Sequence, residues 1–286
     1  MEKQVKRIGV LTSGGDAPGM NAAIRSVVRT ALNRNIRVLG IRRGYSGLLA
    51  RDMFEMNLRS VSDTLHRGGT ILYSARCPEF RDDKGVERGK EVCLEMGIDG
   101  LVVIGGDGSF RGARDLSLKG IPCIGIPGTI DNDIASSDYT VGFDTAVNTV
   151  MDMVDKLRDT SQSHDRCSIV EVMGRRCGDI ALHAGIACGA VAILVPEVPF
   201  SIDSIIEKMQ RTLRTGKKHF IIIVAEGVTS VGGVGTVHDI AEEIEARTGV
   251  ESRATVLGHV QRGGAPSARE RVLASEMGYH AVELLE

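Results

Sequence analysis

Short β-branched apolar runs, separated by longer stretches of helical period, make up most of the chain. Arg7–Leu11, Ile36–Ile41, Leu101–Ile104, Ile121–Ile126, Ser168–Met173, Val191–Val195, Phe220–Ala225 and Ala254–Leu257 read as strands, each too short for a buried helix. Met20–Arg34 repeats apolar residues at Met20, Ala23, Ile24, Val27, Val28, Ala31 and Leu32, which form one face of a helix. Phe143–Arg158 carries a similar stripe, and Val86–Met96, Asp179–Cys188, Ile202–Arg214 and Val237–Arg247 also read as helices. The last helix is expected from about Ala268 and still runs at Glu286, as a trimmed chain would. Strand and helix alternate throughout, which predicts an α/β fold of two doubly wound, mainly parallel domains meeting near residue 138. Between Gly44 and Asp83 the pattern is irregular, and SVGGVG at 230–235 reads as a flexible loop.

The strands end in turns suited to anions. Leu101–Ile104 stops at Gly105-Gly106-Asp107-Gly108-Ser109, and a stretch that can be helical follows. Glycines let backbone approach a ligand closely, and a helix N-terminus offers free N–H groups with partial positive charge. Ile121–Ile126 ends in Pro127-Gly128-Thr129 and the carboxylates Asp131 and Asp133, while Arg7–Leu11 ends in Thr12-Ser13-Gly14-Gly15-Asp16. Aspartate in a turn is ordinarily a cap. Two acidic turns in succession, with a third glycine-rich turn, favour a ligand crevice at the carboxyl ends of the strands. No G-x-x-x-x-G-K-[ST] and no G-x-G-x-x-G occurs, so the nucleotide classes those motifs mark lose weight.

Composition narrows the partners. A chain of 286 residues with 42% apolar and 25% charged residues is an ordinary globular protein, and its 35 glycines suit many tight turns. With no tryptophan, four tyrosines and six phenylalanines, stacking on nucleobases is a poor expectation. A net charge of −2 gives no pull toward nucleic acid or anionic lipid, so neither nucleic acid nor membrane is an expected partner. The six cysteines form neither a C-x-x-C pair nor a zinc spacing and read as free thiols of a reducing compartment. No signal peptide or membrane-length apolar run is visible, and a cytoplasmic location is expected.

Basic residues recur at the ends of apolar runs: Arg166, Arg175, Lys217, Lys218, Arg253, His259 and Arg262. An isolated arginine such as Arg76 is ordinarily just solvated, but strand-end Arg and His suit phosphate oxygens. The sum is an enzyme with two anionic substrates, a metal on Asp107 and a carboxylate base. Phosphoryl transfer, which needs positioning and charge neutralisation, fits best.

The motifs GVLTSGGDAPGMNAAIR, SARCPEFR, VVIGGDGS, IGIPGTIDND, YTVGFDTA, HDRCSIVEVMGRRCGD, KKHFIIIVAEG and RATVLGHVQRGG, in that order, resemble the bacterial ATP-dependent members of the phosphofructokinase family along nearly the whole chain. The resemblance implies transfer of the ATP γ-phosphoryl group to the 1-hydroxyl of fructose 6-phosphate, with Mg²⁺. It implies an ATP-binding domain at 1–138, to which 252–286 returns, and a fructose 6-phosphate domain at 139–251. By position, Asp131 is the implied base, and Thr129 and Arg175 stabilise the moving phosphoryl group. Gly15, Arg76, Cys77, Gly106, Asp107, Gly108 and Ser109 are the implied ATP contacts, Asp107 also holding the metal. The sugar phosphate falls to Thr129, Ile130, Asp131, Met173, Gly174, Arg175, Glu226, His259, Val260, Gln261 and Arg262. Arg166 and Arg253 join from a neighbouring subunit, which implies a homotetramer.

Pyrophosphate-dependent relatives carry Asp and Lys where this chain has Gly108 and Gly128, so ATP is the expected donor. The implied effector positions Arg25, Arg29, Arg158, Lys217, Lys218 and His219 are present, but Leu58, Val191 and Thr215 replace other family effector residues. Weakened ADP activation is therefore expected. The rivals are a pyrophosphate-dependent enzyme, a GGDG-type kinase of NAD or a lipid headgroup, and a non-catalytic sensing subunit. GGDG alone permits the NAD or lipid kinase but leaves PGTIDND and HVQRGG without a task. The sensor expects a broken catalytic set, and Asp107, Thr129, Asp131 and Arg175 are intact.

Overall fold

A computed structural model of the chain describes residues 5–231 and 235–286. Part of the SVGGVG stretch lies outside them. The elements are β1 (Arg7–Ser13), α1 (Met20–Asn33), β2 (Arg37–Ile41), α2 (Gly44–Ala50), β3 (Met53–Met56), α3 (Asp83–Glu95), β4 (Gly100–Gly105), α4 (Asp107–Leu118), β5 (Cys123–Thr129) and β6 (Val141–Gly142). There follow α5 (Phe143–Ser163), β7 (Cys167–Val172), α6 (Asp179–Ala187), β8 (Ala192–Leu194), α7 (Ile202–Leu213), β9 (Phe220–Ala225), α8 (Glu226–Val231), α9 (Val237–Thr248), β10 (Ser252–Val256) and α10 (Ala268–Leu285). Single helical turns occupy Leu58–Val61, Pro78–Arg81 and Gly258–Arg262. The irregular stretch after Gly44 thus holds α2 and β3, which the apolar pattern does not announce.

The chain forms two compact units. The first comprises 1–130, 134–145 and 262–286, and the second comprises 131–133 and 146–261. The division falls at 145/146 and the return at 262, rather than at 138 and 252. Phe143 and Thr145 are buried in the first unit, and β10 pairs with β7 in the second.

In the first unit six strands run in the order β3-β2-β1-β4-β5-β6, all parallel except β3 against β2. The chain leaves β1 toward β2 and β3 and returns to β4 on the other side of β1. Strand order therefore reverses between β1 and β4, where open α/β sheets bind ligands. Their register runs from Ile8↔Gly100 to Ser13↔Gly105, so both strands end level. Leu11, Ile41, Leu48, Val103 and Leu116 pack into a buried core on this sheet. In the second unit β10-β7-β9-β8 is wholly parallel, with every residue of β9 buried, as expected of a strand covered on both faces.

The N-termini of α5 and α10 tie each other down. Ser267 Oγ accepts from the Glu270 amide (3.2 Å) and donates to Asp144 Oδ2 (2.5 Å). Glu270 Oε2 in turn accepts from the Thr145 amide (3.1 Å) and its hydroxyl (3.2 Å). Glu270 of α10 thus caps a free N–H of α5, while Ser267 caps its own helix and is held by Asp144 of α5.

Burial pushes the Glu270 carboxyl above its usual range despite these bonds. A carboxyl raised by folding contributes stability that is complete below its unfolded value of about 4.3 and is lost as pH rises through the folded value. Glu270→Gln stays neutral, so its Tm is expected to gain on the wild type as pH goes from 5 to 8. Tm curves that stay parallel would remove Glu270 from the pH dependence.

Candidate active site

The carboxyl ends of β1 and β4 carry two of the glycine turns read from the sequence. Ser109 Oγ donates to the Ser13 carbonyl (3.0 Å) and joins them. Gly105 has to be glycine, because a Cβ there would lie 2.4 Å from that same carbonyl. Ser74 Oγ donates to the Gly14 carbonyl (2.5 Å) and Thr12 Oγ1 to the Tyr73 carbonyl (2.8 Å). The segment leading to exposed Arg76 and half-buried Cys77 therefore starts beside the first turn. Gly15 and Gly108 are exposed, with open space where a side chain would stand at 108. Thr129, at the end of neighbouring β5, is the nearest side chain to Gly106.

Two expected contacts, Ser109 and Arg262, and the glycine at 128 take on different surroundings. Ser109 is 5% exposed and spends its hydroxyl on Ser13, which makes it a brace for the turn. A Cβ at Gly128 would meet Ile104 and Met20 in the packed interior, so of the two glycines in the donor argument only Gly108 borders open space. Arg262, expected with the sugar phosphate, lies across Gly15. Its Nη1 donates to the Asp16 carbonyl (3.2 Å), and a Cβ at Gly15 would stand 2.6 Å from it.

Asp107 opens α4 with a carboxylate 51% exposed, paired at 3.0 Å with Arg111 one turn later. No cluster of three or more His, Cys, Asp or Glu able to hold a metal exists among the described residues. One exposed carboxylate between bare glycines fits magnesium, which is commonly held by one or two carboxylates together with water and phosphate oxygens. It does not fit an all-protein cage.

In the second unit the chain continues from β5 into Asp131, which is 3% exposed. Asn132 takes a left-handed φ of 52° and donates to Asp179 Oδ2 (2.7 Å). Asp133 lies 3.8 Å from the guanidinium of Arg175. Arg175 sits in the loop after β7, where Gly174 (φ 139°) and Arg175 (φ 56°) are both left-handed. Glu226 Oε1, at the start of α8, accepts from the amides of Gly174 (3.2 Å) and Arg175 (2.6 Å). A left-handed arginine costs about 1–2 kcal/mol, and charge-assisted bonds of this kind offset it. Gln261 accepts from the Met173 amide (3.1 Å) and is fully buried, while His259 and Val260 of the same turn are exposed. Burial pushes the Cys177 thiol, also in this loop, up to about 11 and leaves it protonated at neutral pH.

Arg166 and Arg253 stand elsewhere. Both pair with Glu251, at 2.8 Å and 2.5 Å, at the amino ends of β7 and β10. Met173–Arg175 follow the carboxyl end of β7, whose 6 residues span roughly 20 Å. Arg166 and Arg253 therefore sit at the opposite end of these strands from Met173–Arg175.

The effector positions divide between the units. Arg25 and Arg29 lie on α1 in the first. In the second, Arg158 donates to the Cys188 carbonyl, Lys218 stands 3.6 Å from Asp165, and Lys217 and His219 precede β9. Val191 lines a cavity of about 320 Å³ with Leu194, Val198, Phe200 and Ile205, and with Ser204 and Lys208. Leu58 is 51% exposed, and Thr215 Oγ1 donates to the Thr212 carbonyl (2.7 Å).

The sequence reading did not anticipate Arg111 as partner of Asp107, Glu226 as the clamp on Arg175, or the buried amide of Gln261. The Asp107–Arg111 spacing of four on a helix was the one local signal available.

The sequence pattern described as Phosphofructokinase matches residues 7–285. An ATP-dependent 6-phosphofructokinase of Clostridium tetani is 59% identical over 281 residues, which cover 98% of this chain and 86% of that protein. A solved phosphofructokinase of Saccharomyces cerevisiae is 39% identical with a TM-score of 0.90 over 98% of this chain, which spans 41% of the yeast chain. A pyrophosphate-dependent phosphofructokinase of Marinobacter aquaeolei, 24% identical, shares the fold with a TM-score of 0.84 over 98% of this chain and 76% of its own. Pattern, sequence and fold agree from β1 to α10, and the chain belongs to the phosphofructokinase family.

Proposed function

We propose that the chain transfers the γ-phosphoryl group of ATP to the 1-hydroxyl of fructose 6-phosphate, giving fructose 1,6-bisphosphate and ADP. The observation that carries this reading is 59% identity, across 98% of the chain, to an enzyme named ATP-dependent 6-phosphofructokinase. Asp107, Thr129, Asp131 and Arg175 of the reacting set are all present.

The residues divide the work by their chemistry. Asp131 takes the proton of the 1-hydroxyl as its oxygen bonds to the γ-phosphorus. The bond from that phosphorus to the β-phosphate oxygen breaks, and ADP leaves. The Thr129 hydroxyl and the Arg175 guanidinium hold the charge on the transferring group, Arg175 kept in place by Glu226. Arg76 and the Gly15 backbone bind nucleotide phosphate. Asp107 would hold a magnesium ion bound with the nucleotide, and that ion would supply charge neutralisation at the phosphates. The open space at Gly108 supports ATP as donor over pyrophosphate, since it leaves room for the α-phosphate.

Arg166 and Arg253 serve a second copy of the chain, because their own strands carry them away from Met173–Arg175. A homotetramer with shared sites, as the family resemblance implies, satisfies this. The effector site binds ADP weakly, with Val191 lining that cavity in place of a carboxylate. Glycolytic chemistry supports a cytoplasmic location. No helix among the described residues is long and apolar enough to cross a membrane.

A coupled assay with fructose 6-phosphate and Mg²⁺ is expected to show turnover with ATP and none with pyrophosphate. Gly108→Asp is expected to raise the KM for ATP at least about tenfold through charge repulsion. Turnover with pyrophosphate alone would reject the donor assignment. At sub-saturating fructose 6-phosphate, ADP is expected to change the rate little, and strong activation would contradict the effector reading. Asp131→Asn is expected to lower kcat by roughly 10²–10⁴ while ATP binding by calorimetry stays as in the wild type. An unchanged kcat removes Asp131 from the chemistry. Asp131→Asn and Arg253→Ala, each impaired alone, are expected to recover activity well above their sum when dissociated together and reassembled. Simple additivity would show that each chain completes its own site.

A further inference from the structure

Gln261 was expected among the sugar contacts, yet it is fully buried. Both ends of its amide are engaged. Oε1 accepts from the Met173 amide (3.1 Å), and Nε2 donates to the Gly258 carbonyl (2.9 Å). Met173 opens the loop that carries Arg175, and Gly258 opens the turn that carries His259. The two segments follow β7 and β10, which are paired neighbours.

This side chain has to accept on one side and donate on the other, at that reach and without charge. Gln is the neutral residue that does so. An apolar replacement strands a buried N–H and a buried C=O, each costly away from water. Beyond Met173, the next two amides of the loop are taken by Glu226 (3.2 and 2.6 Å). Three successive amides are therefore held by side chains from outside the loop, and Gln261 is the one that also grips the His259 turn.

The geometry points to Gln261 as a positioning residue that couples the sugar-phosphate turn at His259 to the phosphoryl-stabilising Arg175, without touching substrate itself. This rests on the proposed kinase reading. A ligand drawn onto His259 fixes Gly258. Gln261 passes that restraint to Met173, and with Glu226 it holds the left-handed backbone of Arg175. Loss of the bridge leaves the loop free to shift, and a shift of about 1 Å at a reacting group costs up to roughly 10² in rate.

The test compares wild type, Gln261→Met and Gln261→Glu in the full chain, with ATP and fructose 6-phosphate as probes. Gln261→Met matches the volume but makes neither bond. It is expected to lower kcat by roughly 10–100-fold and raise the KM for fructose 6-phosphate, with the KM for ATP unchanged. Gln261→Glu accepts and donates like the amide while protonated, but only accepts when ionised. Its kcat relative to wild type is therefore expected to rise as pH is lowered from 8.5 to 6.5, while the Gln261→Met ratio stays flat. The charged groups on the meeting segments, Glu171 on β7, Arg175, Glu226, His259 and Arg262, are common to all three proteins and cancel in the ratio. Wild-type kcat and KM in Gln261→Met, or a lower Tm in both variants with kcat untouched, overturn the assignment. So does a pH-independent ratio for Gln261→Glu. A wild type silent toward this substrate pair overturns the kinase reading and the positioning role with it, whereas an active wild type with unaltered variants overturns the positioning role alone.

Discussion

One backbone oxygen, the carbonyl of Ser13, fixes the glycine turns of the first unit. It terminates β1 at the point where strand order reverses, accepts the Ser109 hydroxyl, and leaves no space for a side chain at Gly105. With β1 and β4 ending level, α4 has to start at Asp107. A carboxylate in the first turn of a helix is favoured by the free N–H groups there, and Asp107 is still half exposed. The position of the Asp107 carboxylate thus follows from how closely two strands approach.

In the second unit the equivalent problem is solved by side chains. The loop after β7 turns too sharply for a ladder partner, and its amides go to Gln261 and Glu226. Glu226 combines a favourable hydrogen-bond balance with the correction of a backbone that arginine alone disfavours. A residue of this type, read as a ligand from its motif, is first of all part of the scaffold that keeps Arg175 near Asp133.

Local signals made most of the fold legible. β9 lies at Phe220–Ala225 as its apolar run predicts, and α1, α5, α7, α9 and α10 begin where the periodicity begins. α2 and β3 stayed hidden because both are short and α2 is flanked by the left-handed Arg43 and Arg51, neither a usual turn residue. Glycines and aspartates at strand ends marked Asp107, Gly108 and Asp131, since turn chemistry is written in adjacent residues. Contacts between distant residues were not legible: Arg262 reaches Asp16 across 246 positions and Gln261 reaches Met173 across 88. The surroundings of Gly128 were hidden for another reason. A motif fixes which residue follows the proline, but only the pleat of β5 decides that its Cα points into the core.

The length of β7 has a kinetic meaning. A strand is a ruler, and this one places Arg166 and Arg175 at its opposite ends, roughly 20 Å of backbone apart. If, as proposed, the sugar phosphate is held by both, it must be met by two chains, and its affinity would carry a term in protein concentration. Dilution would then weaken sugar binding while every chain remains folded, and the substrate itself would act as glue that favours assembly. Under the proposed two-chain site, enzyme concentration would become a control variable for the chemistry.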